Sequence, residues 1–406
     1  MFRQTFSRTR FTNRTVLLRT DFNTGGGGVE ATLHRLRETL PTIHALRRAG
    51  ARVVIATHVG RPGGVRDDRL STRPLAAHLE AFLGCPVATA DDCVGPSALQ
   101  AIAAMVPGDV LMLENLRFHP GEESNSPEFA RQLACLADVY VNDAFATIHR
   151  NHASIVGVTA HLRSVPGLLL EREMSHLLEV TEAPERPLGL LLGGSKVHDK
   201  VGMIERMLPL ASVVCIGGAL APVVMQQRAG VTSLATPPGT DSPLRRLCDA
   251  LAAAERSGQV KVLLPIDVVA SRDIGGHQAV TTAALHRVQP GWHVGDIGYR
   301  TVDRFSEALA PMKMIVWNGP LGRLEDPQFA DGTTALAHVL ANLDARVLVG
   351  GGDTAAAVRR AGVDERLWHV STGGGATLAM LGNEELPGLA ALGWHFSTTP
   401  LFRSLR

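Results

Sequence analysis

Short apolar, β-branched runs alternate with longer stretches of helical periodicity along this chain, and that rhythm leaves few folds open. Strand, helix, strand repeats join parallel neighbours, so the chain reads as an α/β protein with mostly parallel sheets flanked by helices. In open α/β sheets, ligands sit beyond the carboxyl ends of the strands. The residues after each strand are therefore the ones to read for function.

In the first half those residues are basic. Val16-Leu17-Leu18 runs into Arg19, Asp21 and Asn23, and Val53-Val54-Ile55-Ala56 into His58, Arg61 and a Pro62-Gly63-Gly64 turn. Val110-Leu111-Met112-Leu113 leads to Asn115, Arg117 and His119, and Val139-Tyr140-Val141 to Asn142, Asp143, His149 and Arg150. Taken singly, each is an ordinary surface charge. Repeated after four strands, they predict a small anionic ligand, because the planar arginine fork suits carboxylate and phosphate oxygens. His149 and His152 are three apart, yet no carboxylate or cysteine stands at ligand spacing from the histidines. Anion binding is therefore the preferred reading over a metal centre.

Between Pro166 and Pro187, apolar residues recur at helical spacing (Leu168-Leu169-Leu170, Met174, Leu177-Leu178) with charges between them, a plausible joint between domains. The predicted organisation is an anion-binding lobe over residues 1–170, a joint over 171–186 and a second lobe over 187–388.

The strand ends of the second half are glycine-rich. Leu190-Leu191-Leu192 ends in Gly193-Gly194, Val213-Val214-Cys215-Ile216 in Gly217-Gly218 and Ile315-Val316-Trp317 in Asn318-Gly319-Pro320. Val347-Leu348-Val349 ends in Gly350-Gly351-Gly352-Asp353-Thr354, and Trp368-His369-Val370 in Ser371-Thr372-Gly373-Gly374-Gly375. Glycine permits close approach to the backbone, and a following helix N-terminus offers free N–H groups to phosphates. A single such turn is as well explained by tight packing. Neither a GxxxxGK[ST] loop nor a GxGxxG turn with its downstream acid occurs, so the phosphate cradle is of another kind.

The first of these turns continues into Ser195-Lys196-Val197-His198-Asp199-Lys200. Lys196 and Lys200 are half of the four lysines in a chain with 40 basic residues. A compact ammonium in place of guanidinium fits a migrating phosphoryl group, although an amphipathic helix start explains the pair equally well on this stretch alone. A small-anion lobe beside a polyphosphate lobe suggests a transferase, with closure about the 166–187 helix to exclude water.

Composition narrows the partners. A chain of 406 residues exceeds a single core, and a net charge of +1 gives no global attraction to nucleic acid or to a membrane. Five cysteines without CxxC pairing suggest neither a disulfide framework nor a zinc ribbon, and a reducing cytoplasm fits. No apolar run approaches the roughly 20 residues of a membrane span. Arg3, Arg8, Arg10 and Arg14 faintly resemble a transit peptide, but the strand-like run at Val16 leaves it little room.

From Arg19 to Leu389 the chain resembles phosphoglycerate kinases. The motifs are Arg19-Thr-Asp21-Phe-Asn23, Thr57-His58-Val-Gly-Arg61-Pro, Glu114-Asn-Leu-Arg117-Phe-His-Pro-Gly-Glu-Glu and Val141-Asn-Asp-Ala-Phe with His149-Arg150-Asn-His-Ala-Ser154. In the second half they are Gly193-Gly-Ser-Lys196-Val-His-Asp-Lys200, Trp317-Asn-Gly-Pro-Leu-Gly322, Gly350-Gly-Gly-Asp353-Thr354 and Ser371-Thr-Gly-Gly-Gly-Ala376. The resemblance implies two Rossmann-like lobes with the segment 389–406 crossing back to complete the first, and a monomer working on small molecules. It implies a 3-phosphoglycerate site at Asp21, Asn23, Arg35, His58, Arg61, Arg117 and Arg150, with Arg35 placed by counting back from Pro41. It places ATP or ADP at Gly194, Lys196, Lys200, Gly218, Asn318, Pro320, Glu325, Gly351, Gly352, Asp353 and Thr354, with Asp353 toward Mg²⁺. Arg35, Lys196, Gly373 and Gly374 would meet the transferring phosphoryl group.

The chemistry agrees. A carboxylate is ionised at neutral pH and attacks the γ-phosphate without a general base, so positioning and charge neutralisation suffice. Departures from the family pattern fall at Thr24–Gly28, Ala146, Ser195, the Cys215–Val224 segment, Tyr299 and the tail ending in Arg406. His198 between the lysines has no reading. The favoured function is phosphoglycerate kinase. The alternatives are a kinase of the same architecture for another small carboxylate, motivated by the altered loops, and a non-catalytic nucleotide-binding protein, opposed by both lysines, Arg35 and Asp353.

Overall fold

A computed structural model describes residues 4–23, 28–196, 198–228, 243–272, 280–284, 287–288 and 291–395. Thr24–Gly27, Val197 and the tail from 396 onward lie outside the described residues. The chain forms two units, dividing after Ser175, with the segment from Glu385 returning to the first. The first break falls inside the helix Leu168–Glu182.

The first unit is built on six strands: β1 (Thr15–Arg19), β2 (Arg52–Ala56), β3 (Val87–Thr89), β4 (Val110–Met112), β5 (Val139–Asn142) and β6 (Arg163–Pro166). All are parallel, in the order β3-β4-β2-β1-β5-β6. Val16, Leu18, Val53, Ile55, Met112 and Val141 pack with Leu36, Ile43 and Leu46 of the helix Gly28–Arg48 in one core. Burying such side chains contributes roughly 1.5–3 kcal/mol each. The four strands with basic ends, β4, β2, β1 and β5, are contiguous, which brings those ends together. The returning segment docks through the Gly388 N–H, which donates to the Ile148 carbonyl at 3.0 Å.

The second unit holds a parallel sheet of β7 (Leu188–Leu192), β8 (Ala211–Ile216), β9 (Lys261–Leu263), β13 (Met314–Asn318), β14 (Arg346–Gly350) and β15 (His369–Val370), in the order β15-β14-β13-β7-β8-β9. The five strands that end in glycine turns again stand side by side. A further three-stranded antiparallel sheet, β10 (Asp267–Ser271) between β11 (Thr281–Ala284) and β12 (His293–Ile297), is not foreshadowed by the parallel rhythm. These strands are too short for their periodicity to separate them from connecting loop.

Candidate functional site

In the first unit a buried charge network gathers at the strand ends. Arg19, at the last position of β1, is 1% exposed. Its Nε donates to Ser154 Oγ at 2.7 Å and one terminal nitrogen to His58 Nδ1 at 3.3 Å, while the Glu122 carboxylate lies 3.8 Å away. Glu122 accepts from the Ser154 hydroxyl at 2.6 Å and from its N–H at 2.9 Å. Burial pushes the Glu122 carboxyl up, but His152, Arg19 and Ser154 outweigh it and hold the group at about 2.

Arg35, from the helix Gly28–Arg48, donates to Asp21 Oδ2 at 2.5 Å. Asp21 Oδ1 accepts from the Asn23 N–H at 3.0 Å, and Asn23 Oδ1 accepts from the Gly60 N–H at 2.9 Å, which ties the β1 end to the β2 end. Burial opposes ionisation of Asp21, yet Arg35 above all, with Arg19 and the Asn23 N–H, keeps its pKa below the ordinary value.

Several buried donors at these strand ends have no hydrogen-bond acceptor among the described residues. His58 is buried, and burial with Arg19 and Arg117 nearby drives its pKa well down despite Asp21, so the ring is neutral. Arginine can only donate, so His58 Nδ1 is the acceptor and Nε2 carries the proton. That Nε2–H is buried without a partner, as are Arg117 Nε and NH2 and Asn142 Nδ2. Glu123 Oε1 lies 3.0 Å from Arg117 Nε but off the N–H direction, while Arg117 NH1 is taken by the Gly60 carbonyl at 2.7 Å. Each unmet buried donor costs about 1–3 kcal/mol, and an oxyanion would relieve several at once. Arg150 is close enough to depress the Arg117 pKa, behind burial, and Arg61 stands exposed at the rim.

In the second unit the glycine turns divide into two kinds. The turns after β7, β8 and β13 are packed against one another: the Gly193 N–H donates to the Asn318 carbonyl at 2.9 Å, the Gly194 N–H to Pro320 at 2.6 Å and the Gly218 N–H to Leu321 at 3.2 Å. A Cβ on Gly319, whose φ is +90°, would lie 2.1 Å from the Gly193 carbonyl oxygen, and one on Gly218 would lie 2.6 Å from the Gly194 nitrogen. Glycine at these three turns serves backbone-to-backbone packing, the alternative that the residue type alone left open. Gly352, Gly374 and Gly375 are the open ones, with nothing within 4 Å of an added Cβ.

Asn318 closes this cluster with a buried Nδ2 lacking a partner, beside Gly350 and Gly351. Thr354 is buried and its Oγ1 accepts from the Gly319 N–H at 2.8 Å, so it orders the turn as much as it faces a ligand. Pro320 is buried, whereas Glu325 and Asp353 are exposed, Asp353 in the first turn of the helix Gly352–Arg360. Gly374 precedes the helix Gly375–Leu381, and the Gly373 N–H donates to Ser371 Oγ at 3.2 Å.

The two lysines differ. Lys196 is exposed, while Lys200 is buried and donates from Nζ to the Lys196 carbonyl at 3.3 Å. Burial lowers the Lys200 pKa, partly offset by the Asp199 and Asp353 carboxylates. An ammonium held among backbone amides and next to an exposed aspartate is suited to polyphosphate.

The profile of the phosphoglycerate kinase family matches residues 6–384. The chain belongs to the phosphoglycerate kinase family. The phosphoglycerate kinase of Desulforudis audaxviator is 44% identical over 394 residues, spanning 97% of this chain and 99% of that protein. That of Acaryochloris marina is 43% identical, spanning 93% of this chain and 95% of the relative. Among solved structures, the Coxiella burnetii phosphoglycerate kinase superposes with a TM-score of 0.80 at 32% identity, covering 97% and 99% of the two chains. The Pyrococcus horikoshii enzyme gives 0.82 at 30% identity, covering 97% and 98%.

Within this family member, Asp21, Asn23, Arg35, His58 and Arg117 share one bonded or unsatisfied network in the first unit. Gly194, Gly218, Asn318, Pro320, Gly351, Thr354 and Lys200 cluster in the second. The sequence assigns no role to Glu122 or Ser154. The one signal for Glu122 is its place in the Pro120-Gly121-Glu122-Glu123 run directly after the Arg117 segment. Asp92 and Cys93 lie far from His119 in sequence, yet the fold brings all three together.

Proposed function

We propose that this chain catalyses reversible phosphoryl transfer between ATP and the carboxylate of 3-phosphoglycerate, yielding ADP and 1,3-bisphosphoglycerate. The observation that carries this reading is the set of buried donor atoms, His58 Nε2, Arg117 Nε and NH2 and Asn142 Nδ2, which have no hydrogen-bond partner among the described residues and suit a small oxyanion. In the same reading Arg61 and Arg150 take the outer oxygens of that anion.

On the nucleotide side, Lys200 and the N–H groups at the open Gly351–Asp353 turn bind the phosphates. Asn318, Pro320 and Glu325 border the nucleotide. Asp353, a single exposed hard-oxygen donor next to the phosphate cradle, fits Mg²⁺ shared with the phosphates, since this ion is commonly held by one or two carboxylates and by substrate oxygens. The bound ion would neutralise part of the phosphate charge. Arg35, Lys196 and the amides at Gly373 and Gly374 offset the charge that develops on the transferring group, and the ionised acceptor needs no base. A cytoplasmic monomer is the setting we infer, from unpaired cysteines and family membership. Among the described residues no helix is long and apolar enough to cross a membrane.

Hydroxamate trapping with ATP, Mg²⁺ and a panel of small carboxylates tests the acceptor. 3-Phosphoglycerate is expected to outperform glycerate and 2-phosphoglycerate at least tenfold in kcat/KM, and equal rates across the panel would sink the assignment. Turnover that survives Lys196→Ala would remove the lysine from the reaction.

A further inference from the structure

Asp92 and Cys93 follow the edge strand β3, and His119 follows its neighbour β4, seven residues beyond Met112. Thr89 pairs with Met112, so the two loops leave the sheet side by side. His119 Nε2 lies 2.7 Å from Asp92 Oδ1, and the Cys93 sulfur, the imidazole nitrogen and the carboxylate oxygen all fall within 4.8 Å of one another. Among the described residues this is the one group of three such donors. Cys93 is buried, while the side chains of His119 and Asp92 are 31% and 44% exposed, so the cluster has a closed floor and an open mouth.

The geometry points to a binding site for a divalent metal of borderline softness, Zn²⁺ above all, held by Asp92, Cys93 and His119 with solvent at the fourth position. Donors around a tetrahedral zinc stand about 3.3 to 3.7 Å apart, so the nitrogen and oxygen must separate by about half an ångström, and the sulfur, which lies within 4.8 Å of both, must settle at that spacing. The thiolate and imidazole exclude Mg²⁺ and Ca²⁺, which require oxygen ligands. Three protein ligands with one open position is the pattern of a zinc that keeps an exchangeable site.

Binding is proton-balanced: the Cys93 thiol loses its proton to solvent, and the neutral His119 ring exchanges its Nε2 proton for one on Nδ1, which leaves the Nε2 lone pair for the metal. The ring is already oriented, because His119 stacks on Phe129 with centroids 5.2 Å apart. The Asp92 carboxylate is likewise preset by the Cys93 N–H, which donates to Oδ1 at 2.6 Å. Nearby cations set a limit on affinity: Arg73 pairs with Asp91, and Arg66 donates to the Asp91 carbonyl at 2.9 Å. The site thus differs from that of the phosphate-bound ion in ligand chemistry and in position, lying two residues beyond Arg117 on the same loop.

Titration of the full, chelator-treated chain with Co²⁺, in nucleotide-free buffer, tests this. One equivalent is expected to produce tetrahedral d–d bands and a sulfur-to-cobalt charge-transfer band, reversed by Zn²⁺ and untouched by excess Mg²⁺. Cys93→Ser should abolish the sulfur band while Cys135→Ser, at an exposed cysteine, retains it. His119→Gln and Asp92→Asn, both partly exposed, should each weaken Co²⁺ binding at least about tenfold, and they decide the matter if Cys93→Ser does not fold. No sulfur band in the natural protein, a band that persists in Cys93→Ser, or undiminished affinity in His119→Gln would each overturn the site.

Discussion

Replacing Glu122 with glutamine probes whether a carboxylate without access to solvent holds the anion-site arginine in place. Glu122 is fully buried, and its carboxyl lies at about 2 against an ordinary 4.5. Holding the carboxyl that far below its ordinary value corresponds to stability on the order of 3 kcal/mol in the ionised state. Removing one member of a buried ion pair independently suggests roughly 3–5 kcal/mol, because Arg19 is left charged with its partner gone. The sign follows from the lowered pKa: the stabilisation is complete above the ordinary value of 4.5 and is lost as pH falls toward 2. Native-state hydrogen exchange at amides of β1 and β5 reads this unit separately from the rest of the chain. At neutral pH, Glu122→Gln should lower protection by roughly 100-fold, and the acid-dependent loss seen in the natural protein should flatten in the variant. A loss below about fivefold, about 1 kcal/mol, or an unchanged acid limb would refute the reasoning.

On the role proposed for Arg35 at the transferring group, Arg35→Ala should lower kcat far more than it weakens ATP binding; an unchanged kcat in steady-state assays would remove that role. Gly319→Ala should destabilise the second unit by about 3 kcal/mol in urea unfolding, as the new Cβ would stand 2.1 Å from a carbonyl oxygen at φ +90°. Gly375→Ala, with open space around the new methyl, should leave stability within about 1 kcal/mol but lower kcat if that turn faces the phosphoryl group. Asp143, whose Oδ1 accepts from the Leu169 N–H at the start of the helix Leu168–Glu182, is pushed up to about 6 by burial. The folded state therefore loses roughly 3 kcal/mol as pH rises from the ordinary 3.8 to about 6 and no more above it, and Asp143→Asn should erase that slope in hydrogen exchange measured from acidic to neutral pH.

Much of this molecule is legible in one dimension. A continuous apolar run such as β1, buried at every position, has only one stable setting, the interior of a parallel sheet, and the residues after it must then emerge at the sheet's carboxyl edge. That logic locates Asp21, His58, Arg117 and Lys200 without coordinates. It also explains why the arginines and the glycine turns fall in separate halves of the chain.

What the linear order leaves open is which polar group answers which. Strand order decided that Arg19, Glu122 and Ser154 would share a buried cluster, because β1 lies beside β5, which leads to Ser154, and only β2 separates it from β4, which leads to Glu122. Tertiary packing also decided that Gly193, Gly218 and Gly319 are close to one another's backbones, while Gly352 and Gly375 remain open, a distinction the residue type cannot carry. The same holds for the Asp92–Cys93 pair and His119, distant in sequence and brought together by the pairing of β3 with β4. Local sequence sets periodicity and the chemistry at each strand end. Contacts between distant segments depend on strand order and register, which the buried faces of the whole sheet determine together.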